Sequence, residues 1–343
     1  METRHTTVSD IGRGLVNKVQ GADALISKRV LAIILGALSA LTAGLVWVFM
    51  TLMTYAPQQS NGLSIPPLVQ AKPDMVPTFI TTLSDGLERP MAVAASPEGE
   101  VYVADGGCQC VRVYDREGML RSTLGPVMDG EQMVQPVALA LAGKDLYVSD
   151  LTQGRVFKFS QGVFAGALDA PGILSSISSP VGILVKGNRV YINDVSHHQV
   201  FVFDLEKGSL VQVVGRGKGE AMGQLAYANF SLLLPDGALL VADSNNNRIQ
   251  KFDTNGVAVQ SWYGPLSLPR GLAADGKGNI HVASTMGGRM EIYSTSGQHM
   301  GGYDRFLGAT QEFDFPTGVA VAGDRVYVAD RGNGQVQVGR LGK

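Results

Sequence analysis

Cysteine is nearly absent from this chain: Cys108 and Cys110 are the only two in 343 residues. That excludes a disulfide-stapled small scaffold and a four-cysteine zinc site. Histidine is scarce too, at five residues. Charge is thin: Asp, Glu, Lys and Arg make up 17% of the chain, against about 25% in ordinary soluble proteins. The net charge is −2, which excludes a strongly basic nucleic-acid binder. Combined with 45% apolar residues, it also excludes disorder as the main state. Glycine, by contrast, is abundant. Its 43 residues lie well above the roughly 7% of average usage. A chain this rich in glycine and poor in charge is a turn-dense β protein, a protein with a membrane segment, or both.

Both features are present. Val30 to Met53 is a run of 24 residues without a charge. At about 1.5 Å per residue it makes a helix of roughly 36 Å, enough to span a bilayer with some tilt. Lys28 and Arg29 abut its start, with Arg4, Arg13 and Lys18 upstream, and the first charge beyond it is Lys72. The positive-inside bias therefore predicts a cytoplasmic N-terminus and an extracytoplasmic remainder, periplasmic or extracellular. The competing reading is a cleaved signal peptide. The apolar stretch is longer than the usual 7–15 residues of one, and it follows a 29-residue leader. Within that leader, residues 1–29, Ile11, Leu15, Val19, Ala22 and Ile26 recur at helical spacing. This predicts an amphipathic helix on the inner membrane face or docked on a cytoplasmic partner. Residues 54–75 hold Pro57, Pro66, Pro67 and Pro73 and read as a semi-extended tether.

Residues 76–343 are a repeat array. The phrases VYVAD, LYVSD, VYIND, LLVAD, IHVAS and VYVAD end at Asp105, Asp150, Asp194, Asp243, Ser284 and Asp330, in steps of 45, 44, 49, 41 and 46 residues. A fixed period in this range signals a solenoid or a propeller. Each unit opens on a proline (Pro90, Pro136, Pro180, Pro269, Pro316; Ala228 in the fourth) and continues as an apolar strand. A glycine turn, the VYVAD-type strand, a short loop and an alternating strand such as VFVFD follow. Period-two alternation between Gly and Asp turns predicts strands. Five units have a fourth, outer strand and the sixth lacks one, while Thr78 to Leu83 supplies a spare strand ahead of the first unit. Pairing the two closes the ring and removes its open edges. The prediction is an all-β, six-bladed propeller with four-stranded blades behind one transmembrane helix.

The fourth unit, Pro235-Asp236-Gly237 followed by Leu240 through Asn245-Asn246-Asn247-Arg248 to Asp253, resembles the NHL repeat family. So does the Gly-rich connector Gly215 to Leu225. The resemblance covers residues 76–343. It implies one of three things: an extracytoplasmic binding or sensing module, an RNA-binding module, or a lyase or lactonase on a related propeller. Such lyases and lactonases hold Zn²⁺ or Ca²⁺ near the channel with His, Asp, Glu or Asn ligands.

In a propeller the innermost strands line the channel. Aligning the units on their Asp places Met91, Val137, Val181, Asn229, Arg270 and Thr317 around its mouth. This ring has no carboxylate and no histidine, so no metal-ligand set and no catalytic set is predicted. Arg270 is its single charge, available to an anionic ligand or to a loop carboxylate. His197 and His198 fall on the same face, either as ligand or partner contacts or as a polar turn. His281 aligns with Tyr102, Tyr147, Tyr191 and Tyr327 and reads as a packing residue. His299 is assigned no role. Cys108-Gln109-Cys110 sits in the corresponding loop of the first unit as a redox pair, a loop staple or two thiols. The repeated Asp is read as organising the turn that follows it. Gly215, Gly217 and Gly219 mimic a phosphate loop, but no helix follows where one is needed.

The functional expectation is a membrane-anchored, non-catalytic scaffold or sensor in the cell envelope. It binds a protein or small ligand through Arg270, Asn229, His197, His198 and Thr317, without cofactor, metal or nucleic acid. A lyase or lactonase working at the channel mouth is the alternative. RNA binding fares worst, because residues 76–343 carry 22 Lys and Arg against 26 Asp and Glu.

Overall fold

The computed structural model describes residues 68–342 apart from 129, 169, 170 and 175. The leader, the apolar run Val30 to Met53 and most of the proline-containing stretch lie outside the described residues. Among the described residues no helix is long and apolar enough to cross a membrane.

The predicted strands form in order. β1 (Thr78–Leu83) stands ahead of the first blade, which is β2 (Pro90–Ala95), β3 (Val101–Asp105), β4 (Cys110–Tyr114) and β5 (Leu120–Leu124). A small ribbon of β6 (Val127–Met128) and β7 (Glu131–Gln132) leads to the second blade. That blade is β8 (Pro136–Ala142), β9 (Asp145–Asp150), β10 (Arg155–Ser160) and β11 (Val163–Ala167). A single helical turn, α1 (Pro171–Leu174), precedes the third: β12 (Pro180–Lys186), β13 (Arg189–Asp194), β14 (Gln199–Asp204) and β15 (Leu210–Val214). The fourth is β16 (Ala228–Leu233), β17 (Leu239–Asp243), β18 (Arg248–Phe252) and β19 (Ala258–Trp262). The fifth is β20 (Pro269–Ala274), β21 (Ile280–Ser284), β22 (Arg289–Tyr293) and β23 (His299–Tyr303). The sixth takes β24 (Pro316–Ala322), β25 (Arg325–Asp330) and β26 (Gln335–Arg340), and its outer strand is β1. Thr78 pairs with Arg340 and Leu83 with Val336, so the first strand of the array closes the last blade. Every blade is an antiparallel meander of four strands, as the repeat spacing requires.

The hydrophobic core lies between blades. Each of six apolar clusters joins two neighbours. The closing one sets Leu83, Val336 and Val338 against Val93, Val103 and Tyr114. Both faces of the middle strands are therefore covered. β17 is buried along its whole length, whereas β5 exposes Arg121, Ser122 and Thr123 on the rim. That explains why the VYVAD-type strands read as continuous apolar runs and the outer strands as polar ones.

Inner strands approach backbone to backbone at the third residue of several blades. A Cβ on Gly318 would lie 3.0 Å from Cα of Ala92, and one on Gly271 would lie 2.8 Å from the Val319 nitrogen. Glycine there sets the width of the channel between the fifth, sixth and first blades.

Candidate functional site at the channel mouth

Each Asp that ends a second strand ties its turn to the segment leading into its own blade. Asp194 accepts backbone N–H bonds from Ser196 and His197 in the turn, and from Ser178 and Ser179 ahead of β12. Asp105 and Asp150 do the same for Glu88 and Arg89, and for Val134 and Gln135. Burial opposes the charge on Asp194, but its bonds to Ser178, Ser179 and His197 hold the carboxyl below the usual carboxylate range. The repeated Asp therefore fixes two loops of the mouth at once, where sequence reasoning saw only one. The arginines found five residues after three of the strand ends take different partners. Arg248 pairs with Asp243 at 2.7 Å, Arg155 with Glu131, and Arg289 with Glu291.

On this frame the second residues of the six inner strands converge. Met91, Val137, Val181, Asn229, Arg270 and Thr317 all line one cavity of about 400 Å³. Asn229 donates to Ser244 Oγ at 2.6 Å, and Ser244 Oγ donates to the Pro269 carbonyl, so this amide braces the fourth blade against the fifth. The Thr317 hydroxyl lies 3.4 Å from the Pro90 and Ala329 carbonyls, linking the sixth blade to the first.

Arg270 has no such tie. Its Nε is buried without a hydrogen-bond partner, and the loop carboxylate that would have matched it is not found among the described residues. Burial, and then the like charge of Arg331, lower its pKa. Arg331 lines the same cavity, and sequence reasoning missed it. It directly follows Asp330, in register with Leu151 and Val195, which also line the cavity. Reading the repeat alignment one residue past the Asp would have found it.

The histidines sit beside the cavity rather than in its lining. His197 Nδ1 lies 3.0 Å from Asp194 Oδ1, and its ring packs edge-on against Phe201. His198 Nδ1 accepts the Tyr227 N–H at 3.0 Å, and the two rings meet edge to face. In the next blade Asn247 Oδ1 accepts the Leu268 N–H at 2.8 Å. His198 and Asn247 hold the same position, the last residue before a third strand. All six blades place that residue at a φ between 50° and 63°: Gln109, Gly154, His198, Asn247, Gly288 and Gly334. Tyr227 and Leu268, the residues they hold, are themselves left-handed, at φ 60° and 53°, and both line the cavity. His198 is thus a clasp between blades, and its neutral ring is the form that accepts.

Cys108 in the turn after β3 and Cys110, the first residue of β4, are joined as a disulfide outside the cavity lining. His281 is buried in β21 with Asp275 Oδ2 at 3.2 Å and the Tyr303 hydroxyl at 3.4 Å. His299 caps the buried Glu291 at 2.8 Å. Both belong to the fifth blade, His281 in its interior and His299 half-buried on its outer strand. No group of three or more His, Cys, Asp or Glu that can hold a metal occurs among the described residues.

The family model for the NHL repeat matches residues 231–252 and 313–338, within the fourth and sixth blades. No curated protein sequence matches the chain. Among solved structures it is similar to virginiamycin B lyase from Staphylococcus aureus, at 15% identity over 73% of this chain and 80% of that one, with a TM-score of 0.53. Hydrazine synthase of Kuenenia stuttgartiensis is similar at 14% identity, covering 74% of this chain and 96% of that one, with a TM-score of 0.55. The WD40 repeats of RRP9 match at 12% identity over 74% and 77%, with a TM-score of 0.54. At such identities the likeness establishes the propeller fold and nothing about activity.

Proposed function

We propose that this propeller, two of whose blades carry NHL repeats, is a membrane-anchored, extracytoplasmic binding module. It holds a cell-envelope protein or ligand over its cavity face without transforming it. The observation that carries this reading is the chemistry of the cavity lining. It contains no carboxylate, imidazole, thiol or amine, and its one phenol, Tyr227, has no hydrogen-bond partner for its hydroxyl among the described residues. General acid–base catalysis needs a group that exchanges a proton near working pH; a guanidinium does not, and the Tyr227 phenol has no base or acid in that lining to work with. The Thr317 hydroxyl lies against two backbone carbonyls and has no base beside it. Around the mouth Tyr227, Phe315 and Met286 are 43–59% exposed, and aromatic and thioether side chains are those enriched at protein interfaces. The charge-free run Val30 to Met53 behind Lys28 and Arg29 supports the anchor and its direction.

Two measurements on the full chain in its native membrane test the reading. Protease added outside spheroplasts is expected to cut the propeller and spare the leader. Solubilised protein is expected to carry a stoichiometric envelope partner that Phe315→Ala together with Met286→Ala releases. Cytoplasmic exposure of the propeller overturns the location. Turnover of a lactone or lyase substrate that is lost in Arg270→Ala overturns the non-catalytic role.

A further inference from the structure

Arg270 on β20 and Arg331 after β25 line one cavity of about 400 Å³, near enough that the charge of Arg331 acts on the Arg270 guanidinium. Neither has an ion-pair partner among the described residues, and Arg270 Nε is buried with no hydrogen bond at all. Elsewhere in the propeller buried arginines are paired: Arg248 with Asp243, and Arg289 with Glu291. An unmatched cation removed from water costs folding free energy, and a second one facing it adds repulsion. Both act on Arg270 in the same direction, burial first and then Arg331 lowering its pKa from the ordinary arginine value. A pair placed this way does nothing for the stability of the empty protein. It is matched only when an anion enters.

The remaining wall defines the rest of that ligand. Met91, Val137, Val181 and Val319 present hydrocarbon to the same space, and the lining holds no carboxylate to repel a negative charge. Pockets of this size and character enclose most of a small molecule, with a few polar groups fixing its orientation. Guanidinium is the side chain suited to this task, because its planar fork meets two oxygens of a carboxylate or phosphate at once.

We propose that the cavity binds an organic oxyanion, its charged head held between Arg270 and Arg331 and its apolar body lying against Met91, Val137, Val181 and Val319. This rests on the binding-module reading and gives that module a ligand class. Carboxylates and phosphate esters share the required chemistry.

The test is calorimetric titration of the full chain in lipid nanodiscs, with empty nanodiscs as the blank. The probes are hexanoate, hexyl phosphate, hexanol and inorganic phosphate. One or both organic anions are expected to bind at one site per chain, and the stronger of them identifies the head group. Hexanol and inorganic phosphate are expected to bind at least about tenfold more weakly, each lacking half of the recognition. Arg270→Gln and Arg331→Gln are each expected to weaken the anion by about ten- to a hundredfold, the usual effect of losing a charge-assisted hydrogen bond. Thermal unfolding of the empty variants is expected at or above the wild-type midpoint, because neither arginine has an ion-pair partner among the described residues to lose. Equal binding of hexanol, undiminished binding by Arg270→Gln, the absence of anion binding at millimolar concentration, or a large fall in the midpoint of the empty variants overturns the proposal. A partner that still co-purifies when no anion binds leaves the binding module standing without this ligand. An anion that binds and is converted to product leaves the site standing and overturns the non-catalytic reading.

Discussion

At the residue scale, the mouth is built from side chains that fasten one blade to the next. His198 is the clearest case, because the fourth blade repeats its role with a different residue. His198 Nδ1 receives the Tyr227 N–H just as Asn247 Oδ1 receives that of Leu268. Asparagine also tolerates a left-handed backbone better than most residues. His198→Asn is therefore expected to preserve stability, and His198→Ala to lose about 1 kcal/mol, the net worth of one hydrogen bond. Acid adds a second signature. Burial, and then Lys218, lower the pKa of His198 from its ordinary value of 6.5. Between the lowered folded value and 6.5 the unfolded chain binds more protons, so stability from this group is full above that window and is lost as pH falls through it. Denaturant titrations at pH 7 and pH 5 should show a larger acid loss for the wild type than for His198→Asn. An identical loss would remove His198 from the clasp.

Elements show a different kind of constraint. The inner strands meet where Gly271 and Gly318 leave no room for a side chain, with backbone atoms of the neighbouring strands 2.8–3.0 Å from a built Cβ. Backbone cannot rotate away as a flexible side chain does. Gly318→Ala is expected to cost about 1–3 kcal/mol by overpacking, read as a lower midpoint in chemical denaturation. Gly271→Ala should behave alike, and an unchanged midpoint in both would mean that the channel wall can spread. The glycines themselves are visible in the sequence. Their reason is not, because it lies in strands 45 or more residues away.

On the scale of the whole molecule, closure is the decisive event. β1 lends Thr78 to Leu83 to a blade whose other strands lie at the opposite end of the chain, and Leu83 joins the cluster between the sixth and first blades. Without β1, strand β26 presents an unpaired edge and the apolar face beside it opens to water. Unpaired edges template association. Removing residues 78–83 is expected to convert monodisperse protein into a self-associating form with a broader unfolding transition, followed by light scattering and calorimetry. A variant that stays monodisperse and unfolds as sharply as the wild type would show that closure is dispensable. Ahead of β1, residues 69–71 lie along β23: the Ala71 N–H donates to the Gly302 carbonyl, and the Gly302 N–H donates to the Val69 carbonyl. The fifth blade is thereby covered on its rim as well.

The repeat period, the turn residues and the strand alternation were enough to set six blades, their strand order and the closing strand, because these follow from local chemistry repeated six times. The same alignment put six residues at the channel mouth, since a common register fixes which position of every unit faces inward. Tertiary structure alone decided what those residues do there. Asn229 and Thr317 spend their polar groups on neighbouring blades. His197 and His198 fasten loops. Among the described residues Arg270 is left without the carboxylate that a linear reading allowed it, and shares its cavity with Arg331 instead. Contacts of this kind join positions tens of residues apart across a blade boundary. No local pattern records them, because they come into being only when the ring closes and brings those positions to one cavity.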